Sequence, residues 1–128
     1  MRIAHIAVWT RDIDRLCKFY VDYFSACCGA PYHNPAKGFR SVFISFGEGG
    51  AALEAMSRDD LSGRTGGADA VGYAHIAIGT GSREEVDRLT ERLREDGYEI
   101  LGEPRLTGDG YYESVVADPD GNRVEITA

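Results

Sequence analysis

Apolar residues along the chain change their spacing from segment to segment, and these changes predict strands and helices. Residues 3–9 form a short apolar run typical of a strand. The next apolar residues recur at helical spacing, at Ile13, Leu16, Cys17, Tyr20 and Phe24. Asp12, just before them, is suited to cap this helix. Three further strands are predicted near residues 31–32, 41–46 and 51–56, so the order of elements is βαβββ.

The second part of the chain repeats this order. The sequence IAHIAV at residues 3–8 returns as YAHIAI at residues 73–78. A capping box from Ser82 to Glu85 begins the second helix, and Gly97 is suited to end it. The buried stripe of this helix is predicted at Val86, Leu89 and Leu93. Strands are then predicted near residues 98–101, 111–117 and 123–127.

We interpret the chain as two copies of one α+β module, about residues 1–57 and about residues 72–128. The glycine-rich segment between them, about residues 58–71, is the predicted linker. A module of about 60 residues buries little core by itself. The two copies are therefore expected to form one domain.

The composition of the chain limits the classes of molecule that it is expected to bind. The chain has 128 residues, with 14 Lys and Arg against 21 Asp and Glu, and a formal net charge of −7. Such an acidic chain is a poor ligand for phosphate backbones, so no nucleic-acid partner is expected. No apolar stretch is long enough to span a membrane, and the first apolar run is too short for a secretory signal. The three cysteines lack CxxC spacing and are expected to be reduced, partly buried thiols of a cytoplasmic protein.

Four ionisable side chains occupy matching places in the two modules. His5 and His75 lie in the opening strands, and Glu54 and Glu125 lie in the closing strands. Strand alternation turns each of them away from its aliphatic neighbours, towards bulk solvent or towards the concave side of a curved sheet. Each alone is an ordinary polar residue, but related modules would bring all four to one place. Two imidazoles and two carboxylates suit Zn²⁺, Ni²⁺ or another divalent first-row ion, so the pattern predicts a metal site.

These features resemble the vicinal-oxygen-chelate superfamily, the glyoxalase, bleomycin-resistance and dioxygenase group. The resemblance rests on IAHIAV at 3–8, FY at 19–20, YAHIAI at 73–78 and DPDGNRVE at 118–125. It implies paired βαβββ modules that form a cupped mixed sheet, and a divalent metal held by His5, Glu54, His75 and Glu125. This ligand set looks most like bacterial glyoxalase I, with Zn²⁺ or Ni²⁺ expected first and Co²⁺ or Mn²⁺ as alternatives. The family also implies a homodimer, with the site built within one chain or between two.

Glyoxalase I moves a proton between neighbouring carbons of a small oxo substrate, such as a glutathione hemithioacetal, through a metal-bound enediolate. The resemblance implies that this chain is a lyase or isomerase of that type. It gives His5 and His75 a ligand role, and gives Glu125 the roles of ligand and proton shuttle. It also implies that Glu54 is a ligand and the second catalytic carboxylate. Arg123, on the same predicted strand face as Glu125, is a candidate for binding an anionic substrate group, or else a surface arginine near a turn.

Several departures leave other functions open. The first helix is not followed by the family's usual Leu-Gly ending, and neither the segment Tyr32–Arg40 nor the predicted linker holds a recognisable set of glutathione-binding residues. An acyl-CoA epimerase-like enzyme would perform a similar proton abstraction, although it usually has Gln where this chain has Glu54. A protein that binds a small molecule without turnover is the other alternative. Its cleft would be lined by Trp9, Phe43, Tyr111 and Tyr112, which otherwise belong to the core.

Overall fold

The computed structural model describes residues 2–63 and 71–128. The chain divides into two compact units, Met1–Arg64 and Thr65–Ala128, called here the first and the second unit. Residues 64–70 of the predicted linker lie outside the described residues. No helix in the described part of the chain is long and apolar enough to cross a membrane.

The first unit is a mixed sheet with one α-helix. Its elements are β1 (His5–Trp9), α1 (Ile13–Phe24), β2 (Cys27–Cys28), β3 (Tyr32–Asn34), a 3-10 helix (Pro35–Lys37), β4 (Phe39–Ser45) and β5 (Ala52–Arg58). The strand order is β1-β5-β4-β2, with β3 also paired to β4. Strands β1 and β5 are parallel, whereas the other pairs are antiparallel.

The second unit repeats this arrangement with four strands. Its elements are β6 (Ile76–Gly79), α2 (Arg83–Glu95), β7 (Ile100–Leu106), β8 (Tyr112–Ala117) and β9 (Arg123–Thr127). The strand order is β6-β9-β8-β7, and again only the pair containing the opening strand is parallel among the described residues. The predicted α+β class with mixed sheets is therefore confirmed.

Both helices begin at the predicted caps. The Asp12 carboxylate accepts a hydrogen bond from the Arg15 amide at 2.9 Å, and the Ser82 hydroxyl accepts one from the Glu85 amide at 3.2 Å. Each bond satisfies an amide that the first helical turn leaves without a backbone partner. The Glu85 carboxylate pairs with Arg88 rather than completing the capping box. Gly97 follows α2 with φ of +86°, a conformation that glycine adopts without strain.

The core of each unit lies between its helix and one face of its sheet. In the first unit it contains Leu16, Phe19, Tyr20, Val42, Ile44, Leu53 and Ala55. In the second it contains the predicted stripe of α2 and the strand residues Val116, Val124 and Ile126. Full burial of one such aliphatic or aromatic side chain contributes roughly 1.5–3 kcal/mol. Because strand side chains alternate, the four predicted ligands project from the other face.

The structure corrects several predicted boundaries. Strand β5 continues to Arg58. Strand β7 continues to Leu106, because its pairing with β8 resumes beyond two register shifts. Strand β2 was not predicted, since two residues are too few to show a period. Cys27 and Cys28, which form β2, are exposed free thiols rather than partly buried ones.

Candidate metal centre

In the first unit, strand pairing brings His5 beside Glu54. Strand β1 lies parallel to β5, with Ala7 opposite Glu54. His5 and Glu54 project from the same face, and His5 Nε2 lies 3.6 Å from Glu54 Oε2. The carboxylate is 17% exposed and the imidazole 45% exposed, so both are accessible to a small ion.

The second unit builds the same pair. Ala77 of β6 lies opposite Glu125 of β9, and His75 immediately precedes β6. His75 Nε2 lies 3.4 Å from Glu125 Oε2, with exposed fractions of 44% and 17%. The two pairs therefore agree in register, separation and accessibility, as the internal repeat predicts.

The two His/Glu separations are too long for a strong hydrogen bond. Two ligand atoms about 2.1 Å from a zinc ion lie about 3.0–3.4 Å apart for right-angled to tetrahedral geometry. The 3.4 Å separation of the second pair matches two ligands of one divalent ion, and the 3.6 Å separation of the first pair is 0.2 Å longer than the upper end of that range. Within either unit, the described residues offer no third His, Cys, Asp or Glu that completes a metal-binding group. Each pair thus supplies an imidazole nitrogen and a carboxylate oxygen, donors that zinc, nickel, cobalt and manganese accept.

The surroundings of the first pair are aromatic. Phe43 lies directly opposite Glu54 across β4 and β5. Its ring meets the His5 ring edge to face, with centroids 5.4 Å apart and planes at 87°. Such a contact restricts rotation of the imidazole and thereby orients its nitrogen.

The surroundings of the second pair are charged. Val115 takes the place opposite Glu125, and Glu113 lies two residues before it on β8. The Glu113 side chain is 11% exposed, and its carboxylate lies 3.3 Å from the Arg105 guanidinium. Burial and the nearby charge of Glu113 raise the pKa of Glu125, whereas His75 and Arg105 oppose this rise. Sequence reasoning missed Glu113 and Arg105, although strand alternation from Val115 puts Glu113 on the ligand face.

Arg123 lies on the same face of β9 as Glu125 and is half-buried. It is opposite Ala117 of β8, at the start of its strand. Its predicted contact with an anionic substrate group stays a prediction.

A cleft opens further along the ligand face of the first unit. Its volume is about 550 Å³, and its lining residues are Trp9, Tyr32, Asn34, Lys37, Phe39, Arg58 and Asp60. We call this the aromatic cleft. Trp9 is thus a lining residue, as predicted, and is 47% exposed. Phe43 and Tyr111 are also exposed rather than in the core, and the Tyr112 hydroxyl donates to Asp87 at 2.7 Å.

Comparison with known families gives a match over nearly the whole chain. Residues 2–126 match the family described as the Glyoxalase/Bleomycin resistance protein/Dioxygenase superfamily.

Several solved structures have a similar fold. The chain is 25% identical to the trypanothione-dependent glyoxalase I of Leishmania major, with a TM-score of 0.80, over 99% of this chain and 86% of that one. It is also 25% identical to a glyoxalase family protein from Enterococcus faecalis, with a TM-score of 0.79, over 99% of this chain and 97% of that one. Glyoxalase I from Zea mays shares the fold at a TM-score of 0.82 and 24% identity, over 98% of this chain and 44% of that one.

A curated relative matches over a shorter stretch. The chain is 39% identical over 61 residues to the uncharacterized protein YqjT of Bacillus subtilis (strain 168). The match covers 45% of this chain and 48% of that relative, so it spans about half of the relative's length.

Proposed function

Because the chain belongs to the glyoxalase/bleomycin resistance protein/dioxygenase superfamily, we propose that it is a metal-dependent lyase or isomerase of the glyoxalase I type. Its reaction would move a proton between neighbouring carbons of a small oxo substrate, with a glutathione hemithioacetal as the first candidate. The observation that carries this proposal is the His/Glu pair found in each unit, at 3.6 Å and 3.4 Å. Similarity to the glyoxalase I of Leishmania major also supports it.

We propose that the two pairs act as one ligand set for a divalent ion, Zn²⁺ or Ni²⁺ first and Co²⁺ or Mn²⁺ as alternatives. The residues are His5, Glu54, His75 and Glu125. They would come from one chain or from the two chains of a homodimer. A divalent ion there would stabilise negative charge that develops on neighbouring oxygens of the substrate.

The protein's own part in the reaction is to hold the substrate and move the proton. In this proposal the Glu125 carboxylate takes the proton from one carbon and returns it to the neighbouring carbon. Glu54 supplies the second carboxylate. Burial raises the pKa of Glu125, which supports this role because a carboxylate with a raised pKa is a stronger base. Arg123, on the face of Glu125, would meet an anionic group of the substrate.

The substrate class is tested by two assays on the metal-supplemented chain. One follows product formation from methylglyoxal with glutathione, and the other follows proton exchange at the α-carbon of acyl-CoA substrates. We expect turnover in the first assay and none in the second. Proton exchange alone would assign the chain to the epimerase-like alternative, and inactivity in both would contradict the proposed reaction.

The aromatic cleft favours a second candidate, a protein of the same superfamily that binds a small molecule without turnover. A cleft of about 550 Å³ lies in the size range of small-molecule sites. Metal analysis separates the two candidates, because sequestration does not need the ligand set. Tight ligand binding by a metal-free, inactive chain would favour the second.

A further inference from the structure

The aromatic cleft lies on the same sheet face as the His5–Glu54 pair. Trp9 is four residues beyond His5 on β1, and Arg58 is four residues beyond Glu54 on β5. Even numbers of residues along a strand keep side chains on one face, and four residues span about 13 Å. Phe39, directly opposite Arg58, completes the row across β4.

Three aromatic rings form the walls of this cleft. The Trp9 and Phe39 rings meet edge to face with centroids 6.2 Å apart, and the Tyr32 and Phe39 rings are 6.1 Å apart. Trp9 is 47% exposed and Tyr32 is 56% exposed, so large apolar ring surface stays in contact with water. A flat apolar ligand would bury this ring surface and add ring–ring contacts.

The charges in the cleft leave one cation available. Arg58 lies over the Trp9 ring at 5.7 Å, and two hydrogen bonds at 2.7 Å and 2.6 Å join its guanidinium to Asp60. In this ion pair the negative charge of Asp60 offsets the positive charge of Arg58. Lys37 makes no ion pair within the described residues. The lining therefore carries a net positive charge in a chain whose overall formal charge is −7.

A turn fixes the backbone at Lys37 and Phe39. The 3-10 helix Pro35–Lys37 ends at Gly38, whose amide donates to the Pro35 carbonyl at 3.2 Å. Gly38 has φ of +56°, and a Cβ there would collide with the Asp59 carboxylate. Pre-organised lining residues reduce the entropy that a ligand's arrival would otherwise cost.

The fold itself does not require this cleft. At matching register in the second unit, Gly79 replaces Trp9, Arg105 replaces Tyr32 and Tyr111 replaces Phe39. The same sheet is thus built without the ring cluster or the unpaired lysine. The aromatic lining of the cleft is therefore specific to the first unit.

From these contacts we propose that the aromatic cleft binds a planar aromatic ring that carries a carboxylate. The ring lies among Trp9, Tyr32 and Phe39, and the carboxylate meets the Lys37 ammonium. The inference rests on the proposed function only in one respect: if that function holds, this ligand is the remote end of the substrate. Binding itself needs no metal.

The test uses Trp9 as the reporter, because it is the only tryptophan in the chain. Tryptophan fluorescence of the full chain is titrated with phenylacetate, with its neutral counterpart phenylacetamide and with acetate, each with and without EDTA. We expect a saturable response to phenylacetate, affinity about fivefold to tenfold weaker for phenylacetamide, and no saturable response to acetate. EDTA should leave these results unchanged.

Matched variants assign the response to the cleft. Lys37→Met should reduce phenylacetate affinity to that of phenylacetamide, whereas Lys18→Met, which removes an exposed lysine of α1 paired with Asp22, should not. Phe39→Leu should weaken both aromatic ligands, whereas Tyr73→Leu, which removes an exposed aromatic ring of the second unit, should weaken neither. Circular dichroism checks that each variant is folded.

Three results would overturn the inference: no saturable response to phenylacetate, equal affinity for phenylacetate and phenylacetamide, or loss of binding in EDTA. The last would mean that a bound metal, rather than Lys37, receives the carboxylate. Failure of the proposed function is distinguishable, since it appears as absent turnover with these titrations unchanged.

Discussion

The two units carry the same His/Glu pair in different surroundings. In the first unit, the ring of Phe43 packs against His5, and the sheet face continues into the aromatic cleft. In the second, Glu113 and Arg105 surround Glu125 with charge. The separations in the pairs nevertheless differ by only 0.2 Å, from 3.6 Å to 3.4 Å.

The comparison shows that the geometry of the His/Glu pair depends on strand pairing and not on the neighbouring side chains. Parallel pairing of the opening and closing strands is common to both units and fixes the His/Glu separation. The residues beside the pair differ between the units, so the two units are suited to different roles. We infer that the first unit supplies more of the ligand-binding surface and that the second supplies the proton-transferring carboxylate.

The largest expected difference between the units lies in turnover. Glu125→Gln should lower kcat by about 10²–10⁴-fold, because general-base catalysis contributes that much. Glu54→Gln should lower kcat less, since the proposed function gives Glu54 chiefly a ligand role. Both variants are assayed at saturating metal, with bound metal measured on the same samples. A greater loss of kcat in Glu54→Gln, with metal retained, would reverse the two roles.

The turns before the closing strands should differ in their contribution to stability. Asp118 accepts hydrogen bonds from the Asp120 and Asn122 amides at 2.9 Å and 2.8 Å, and from the Asn122 side chain at 2.9 Å. Asp118→Ala should therefore lower the free energy of unfolding by about 2–3 kcal/mol in urea titrations. Glu48→Ala, in the glycine-rich turn of the first unit, should change it by less than about 0.5 kcal/mol. Equal effects would contradict this difference.

The Asp118→Ala variant also gives a prediction for the pH dependence of stability. Burial raises the pKa of Asp118 in the folded chain, so the folded state binds this proton more tightly than the unfolded state. Protonated Asp118 therefore favours folding, and this contribution is lost as the pH rises through the raised pKa. The stability difference between the natural chain and Asp118→Ala should increase as the pH falls below neutral. If the stability difference instead decreased as the pH fell, the pKa of Asp118 would be lowered in the folded chain rather than raised.

The charged neighbours of Glu125 should matter more for stability than their counterparts in the first unit. Arg105→Ala leaves the largely buried Glu113 carboxylate without its ion-pair partner and should cost about 1–2 kcal/mol. Tyr32→Ala, at the matching register, removes a ring that is 56% exposed and should cost less than about 1 kcal/mol. The midpoints of urea unfolding measure the effect of both variants. If Arg105→Ala left the midpoint unchanged, the ion pair would not stabilise the second unit.

The smallest expected difference lies at the helix caps. Asp12→Ala and Ser82→Ala each remove one side-chain bond to a helix amide, so each should lower the free energy of unfolding by about 1 kcal/mol. Thermal unfolding of the two variants should agree closely. A large cost for only one of them would mean that the helices contribute unequally to stability.

Local features of the sequence predicted much of this fold. Asp12, Ser82 and Gly97 mark helix ends through chemistry that acts over a few residues, and the spacing of Leu89 and Leu93 identifies the buried stripe of α2. The internal repeat predicted that His5 and Glu54 occupy places equivalent to those of His75 and Glu125, because equivalent strands occupy equivalent places; their union in one ligand set stays a prediction.

Features that depend on strand pairing were not predictable. The contact of Arg105 with Glu113 requires β7 to extend past two register shifts, which no periodicity indicates. The aromatic cleft joins Trp9, Phe39 and Arg58 from three strands whose order is fixed only by the sheet. The segment Tyr32–Arg40 showed no recognisable glutathione-binding residues in the sequence, yet it supplies Tyr32, Asn34, Lys37 and Phe39 to the cleft.

The central claim is that the two similar pairs form one ligand set. Metal content of the purified, unchelated chain tests this most directly, together with the variants His5→Ala and His75→Ala. We predict about one divalent ion per chain and a fall in metal affinity of at least about 100-fold in either variant, since each removes a ligand of the same ion. Two ions per chain, each lost only with its own histidine, would show that the pairs bind separately and would contradict the account, as would a chain that binds none.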